Sequence, residues 1–123
     1  MTTSSPTSGN GLKRRRNQPE KRTERAIING LRTLGFRVTK TSQPRRTMMT
    51  LGTPDLYATH SRWKVRTWIE VKHEGRRREK NGGLSFDQIC WIRDEREAGG
   101  CVIVAYSLAD VISELKKLGA PIE

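Results

Sequence analysis

The spacing of apolar and polar residues changes several times along the chain, and each change marks an element. Ala26, Ile27, Leu31 and Leu34 recur at helical spacing among charged residues, which predicts a helix from Pro19 to Leu34. Pro19 suits a first helical turn, and Gly35 suits a stop just past the last one. Phe36 to Lys40 then alternates apolar and polar, the period of a half-buried strand. Thr41 to Leu51 reads as a basic loop around Pro44. Gly52-Thr53-Pro54 breaks the chain, Asp55 to Thr59 is a short strand, and His60 to Lys64 is a turn. Val65 to Lys72 reads as a strand with Ile69 and Val71 on one face and Glu70 and Lys72 on the other. His73 to Gly83 is a basic, glycine-containing loop, with His73 as a polar edge residue.

Ser85 to Glu97 predicts a second helix. Ser85 and Gln88 have capping-box spacing, Ile89, Trp91 and Ile92 supply an apolar side, and Gly99-Gly100 stops it. Cys101 to Tyr106 is a nearly continuous apolar run, as in a strand covered on both faces. Ser107 and Asp110 can cap a last helix with the stripe Leu108, Val111, Ile112, Leu115 and Leu118, ended by Gly119 and Pro121. The order is αβββαβα, an α/β fold with a small mixed sheet of about four strands flanked by helices. Strands joined by tight turns are expected antiparallel, and a strand reached through a helix parallel.

Charge changes the picture most. The 123 residues hold 24 Lys plus Arg and 13 Asp plus Glu, a formal net charge of +11. Residues 1–80 carry 20 of the basic and 6 of the acidic side chains, so the positive field belongs to that part. Its expected partner is a polyanion, nucleic acid above all. Residues 1–17 have almost nothing to bury and read as a disordered tail ending in Lys13, Arg14, Arg15 and Arg16. That run is either a phosphate-gripping arm or a solvated cluster, and nuclear import is not expected of it. Residues 18–119 form the domain, and 120–123 a short end. No run approaches the roughly 18 apolar residues that span a bilayer, so no membrane is expected. No secretory segment stands out. Cys90 and Cys101 match no metal-ligand spacing and read as buried thiols of a reducing, cytoplasmic protein.

Three residues can carry chemistry. Asp55 opens one strand, and Glu70 and Lys72 share a face of the next. Two carboxylates near one point suit a hard cation with oxygen ligands, Mg²⁺ or Mn²⁺. Such a cation polarises a phosphoryl oxygen and activates water, and Lys72 could orient that water and offset charge on the phosphate. Singly, each residue has an ordinary reading, as a solvent-facing strand residue or an Asp in a turn. Together, in so basic a chain, they point to phosphodiester hydrolysis.

Pro54-Asp55 followed by Glu70-Val71-Lys72 resembles the signature of the PD-(D/E)xK phosphodiesterase superfamily, and within it the VRR-NUC (virus-type replication-repair nuclease) domain. GTPDLY, WIEVKHEG, LSFDQICWI with its following glycines, and CVIVAYS are similar to that family's successive elements, as is an upstream helix bearing Glu24. The resemblance implies a restriction-endonuclease-like core and a divalent-metal-dependent DNA endonuclease that leaves 5′-phosphate and 3′-hydroxyl ends. It implies Asp55, Glu70, the Val71 carbonyl and Glu24 around the metal, Lys72 at the water or phosphate, and Gln88 reaching the site. Gln88 also reads simply as the capping partner of Ser85, Glu24 as a surface charge, and Glu20 competes for the place of Glu24.

Arg76, Arg77, Arg78 and Lys80, like Arg45 and Arg46, read either as a substrate-gripping loop or as solvated charge. No sequence-reading motif is present, so the expected substrate is recognised by shape: a junction, flap or nick. A branched DNA with two-fold symmetry would suit a homodimer, for which Trp63, Trp68 and Trp91 are candidate contacts; ordinary packing is the alternative, favoured for Trp91. A non-catalytic nucleic-acid-binding module on the same fold is the rival reading.

Overall fold

The computed structural model describes the backbone of residues 4–41 and 50–123, and the side chains of residues 18–41 and 50–123. The elements are α1 (Ser4–Thr33), β1 (Arg37–Lys40), β2 (Leu56–His60), β3 (Val65–Val71), α2 (Phe86–Glu97), β4 (Val102–Ala105) and α3 (Leu108–Lys117). The protein is an α/β domain around one mixed sheet in the order β1-β2-β3-β4. The first three strands are antiparallel neighbours, and β4 joins β3 in parallel after the α2 crossover. Among the described residues, no helix is long and apolar enough to cross a membrane.

Alternation along the strands sets the two faces. Val38, Leu56, Ala58, Ile69, Val71, Ile103 and Ala105 pack with Ile27 and Leu31 of α1 and with Val111 and Leu115 of α3. The opposite face meets α2, where Trp91 packs edge-on against Trp68, and Trp68 in turn lies against Tyr57. Trp63 is half-buried against the main core. All three tryptophans therefore have intramolecular packing partners.

Several local expectations are corrected. α1 passes through Pro19 instead of beginning there. A proline removes one backbone donor, but its φ is compatible with a helix, so it need not end one. Ala26 is exposed, and Ile28 takes its place on the buried stripe. Leu118 is also exposed. The last residues close onto the body: Ala120 is buried, its N–H bonds the Leu115 carbonyl, and Ile122 packs on the core. Cys90 and Cys101 are free and half-buried.

His60 is no turn residue but a buried member of β2. Its Nδ1 accepts the Trp63 N–H at 3.0 Å, so Nε2 donates to the Leu34 carbonyl at 3.0 Å. The ring stacks on Trp63 and meets Phe36 edge-on. Gly35 has a positive φ, and a Cβ there would stand 2.9 Å from His60 Nε2, so the chain between α1 and β1 can approach the imidazole only as glycine.

Candidate metal centre

β2 and β3 pair so that Leu56 lies opposite Ile69, which sets Asp55 beside Glu70 at the open end of the hairpin. Thr41 fixes the entry to β2: its N–H bonds the Asp55 carbonyl at 2.9 Å, and its hydroxyl donates to the Pro54 carbonyl. Asp55 Oδ2 accepts the Val71 N–H at 2.8 Å, locking the carboxylate across the hairpin. On the other flank, the Lys72 N–H bonds the Ala105 carbonyl at 2.9 Å, anchoring the end of β3 to β4.

Glu70 and Lys72 share a face, as expected, but that face is not open to solvent. Both side chains are buried, at 2% and 8% exposure, with Lys72 Nζ 3.5 Å from Glu70 Oε2. The cover comes from α2. Gln88 accepts the Ser85 N–H through Oε1 at 2.9 Å, completing the capping box, and donates from Nε2 to Glu70 Oε2 at 2.9 Å. The two readings of Gln88 are thus both realised by one amide. Gly52 allows the approach: a Cβ there would lie 2.3 Å from the Asp87 carbonyl oxygen.

Glu24 comes from α1. It lines a cavity of about 140 Å³ with Glu20, Lys21, Asp55 and Val71. Its Oε2 is buried without a hydrogen-bond partner and stands 3.9 Å from Lys40 Nζ. Glu20 lies one turn earlier on the same cavity, so the two competing glutamates both reach it, but Glu20 is bound by Arg76.

Burial governs the electrostatics of the site. Burial, with Asp55 beside it, pushes Glu70 up to about 8 against the pull of Lys72. Burial raises Asp55 against the Val71 N–H. Burial also raises Glu24, with Lys40 opposing and Asp55 adding to it. Glu70 Oε1, like Glu24 Oε2, is a buried acceptor with no hydrogen-bond partner. Such atoms cost free energy unless a donor or cation meets them. Among the described residues, no group of three or more His, Cys, Asp or Glu side chains is placed to hold a metal ion. The donor chemistry, hard carboxylate oxygens around a small cavity, nevertheless fits a divalent cation.

The cations predicted to grip nucleic acid divide. Arg45 and Arg46 lie outside the described residues, as do the side chains of Lys13, Arg14, Arg15 and Arg16. Arg78 and Lys80 are exposed. Arg76 and Arg77 are instead engaged within the fold, because carboxylates from three elements converge on them. Arg77 pairs with Glu74 and with Asp110 at 2.9 Å and lies over the Tyr106 ring. Arg76 pairs with Glu20 and Glu79. His73 is no plain edge residue either: its Nδ1 caps a short 3-10 turn through the Gly75 N–H. The capping-box spacing made Gln88 visible in advance, whereas no local pattern announced the Glu20–Arg76 pair. Comparison with protein-family models, curated proteins and solved structures gives no match.

Proposed function

We propose that the chain is a divalent-metal-dependent DNA endonuclease, with Mg²⁺ or Mn²⁺ as cofactor. The observation that carries this reading is the convergence at one end of β3. Asp55 and Glu70 lie beside a buried lysine, and Glu70 and Glu24 each keep a buried acceptor atom without a hydrogen-bond partner. Asp55, Glu70, Glu24 and the Val71 carbonyl would hold the cation, which when bound polarises the phosphodiester and activates water. Lys72 orients the attacking water and offsets charge growing on the phosphate. Gln88 fixes the Glu70 rotamer, so that Oε1 is the oxygen left for the cation.

Basic side chains bring DNA to this end of the sheet, and Arg78 and Lys80 stand on the loop that follows Lys72. The resemblance of Pro54-Asp55 and Glu70-Val71-Lys72 to VRR-NUC nucleases supports the same reaction. The absence of any base-reading motif supports selection by DNA shape, with junctions, flaps or nicks as substrates and a homodimer for the two-fold ones.

The test is cleavage of labelled single strand, duplex, nick, flap and four-way junction with Mg²⁺, Mn²⁺ or chelator. Metal-dependent cutting that Lys72→Ala abolishes while DNA binding persists is the expected result. Tight binding without cutting under either metal would instead make the chain a binding module.

A further inference from the structure

Arg76 follows Lys72 by four residues, and its guanidinium is used on three sides. Nη1 donates to Glu20 Oε2 at 3.1 Å, Nε to Glu79 Oε1 at 2.8 Å, and Nη2 to the Gly83 carbonyl at 3.1 Å. The loop is shaped around it. Gly83 has a φ of +84°, and a Cβ there would stand 3.1 Å from Arg76 Nε. Gly82 is held from the other side: Tyr106 donates its hydroxyl to the Gly82 carbonyl at 2.7 Å. Arg76 is therefore fixed to the loop after β3 before it reaches Glu20.

What it reaches is the acidic turn of α1. The apolar anchors of α1 among the described residues are Ile27, Ile28 and Leu31, all beyond Glu24. The turn from Glu20 to Glu24 lacks that anchorage, yet both glutamates line the cavity beside Asp55. An exposed ion pair alone would add little. A guanidinium fixed by three acceptors gives a defined geometry instead.

We infer that Arg76 is a positioning residue of the metal centre: by clasping Glu20 it holds this turn of α1 over the cavity and leaves Glu24 as the helix's carboxylate for the cation. The inference rests on the proposed nuclease reading for the cation and on the contacts above for the clasp. It separates Arg76 from the substrate grip and gives Glu20 and Glu24 unequal tasks.

The test is Mn²⁺ titration of the full chain by calorimetry, beside amide hydrogen exchange. Arg76→Ala is expected to weaken Mn²⁺ binding roughly tenfold, the scale of losing a residue that orients a ligand. It is also expected to speed exchange at residues 20–24 while 27–33 stay protected. Lys116→Ala, a charge-matched control on α3, should do neither. Glu20→Gln, whose amide oxygen still accepts from Arg76, should retain protection. In a Glu20→Ala background, Arg76→Ala should add little, since its effect runs through Glu20.

Unchanged Mn²⁺ affinity in Arg76→Ala, with weakened DNA binding, would overturn the inference and make Arg76 a phosphate grip. Failure of the wild-type chain to bind Mn²⁺ would remove the metal reading itself, and the positioning role with it. The two failures are distinguishable because only the second appears in the wild type.

Discussion

Gln88 donates to the same Glu70 oxygen that faces Lys72, so one oxygen of this buried carboxylate is satisfied twice and the other not at all. The amide is held by the N-cap of α2 at its other end. Helix start and carboxylate orientation are therefore one arrangement. Gln88→Ala should cost about 1 kcal/mol of stability through the broken cap. Under the proposed nuclease function it should also slow cleavage roughly tenfold by freeing Glu70. Denaturant unfolding and single-turnover cleavage measured side by side check both.

Glu70 gives the metal-free protein a definite pH dependence. Its folded-state value is about 8 against an ordinary 4.5. Below pH 4.5 both the folded and unfolded chains hold the proton. Between 4.5 and 8 the folded chain holds more protons than the unfolded one, so stability falls as pH rises and this contribution is gone above about 8. Melting temperature in chelator should decline across that window, and Glu70→Gln should flatten the decline. Added Mn²⁺ should restore stability most at the alkaline end, where the carboxylate is already charged.

His60 lies outside the carboxylate cluster of Asp55, Glu70 and Glu24 and serves the fold. His60→Ala should lose packing against Trp63 and Phe36 and leave the Leu34 carbonyl and the Trp63 N–H unpaired, a cost of about 3 kcal/mol. Calorimetric melting should register the loss while Mn²⁺ affinity in the folded protein stays unchanged.

The exposed and the engaged cations should separate in salt titrations of DNA binding. Arg78→Ala and Lys80→Ala should each reduce the slope of log K against log salt by about 0.9. Arg77→Ala should leave the slope nearly unchanged and instead lower stability, because its guanidinium already serves Glu74 and Asp110.

The order of elements was readable in the chain because each carries its own period, as in Phe36 to Lys40 and Leu108 to Leu115. That Asp55 reaches the face of Glu70 and Lys72 was readable too, from the hairpin expected of the two strands. The burial of Glu70 and Lys72 was not. Period two tells which residues share a face, not whether another element covers it, and Gln88 reaches Glu70 from a helix that starts sixteen residues after it, at Phe86. The clasp between Glu20 and Arg76 spans 56 positions and leaves no local trace. His60 read as a turn because the apolar run breaks there, whereas its partners, Leu34 and Trp63, are brought to it by tertiary packing.

The sheet ends on β1, a four-residue strand with Arg37 at one end and Lys40 at the other. An antiparallel copy in matched register would set Arg37 opposite Lys40 twice, and like charges directly across a ladder repel. Short length and flanking charge are the means by which proteins keep an open sheet edge from recruiting another. Copies of the chain brought to high local concentration are thereby protected from joining their sheets into fibres.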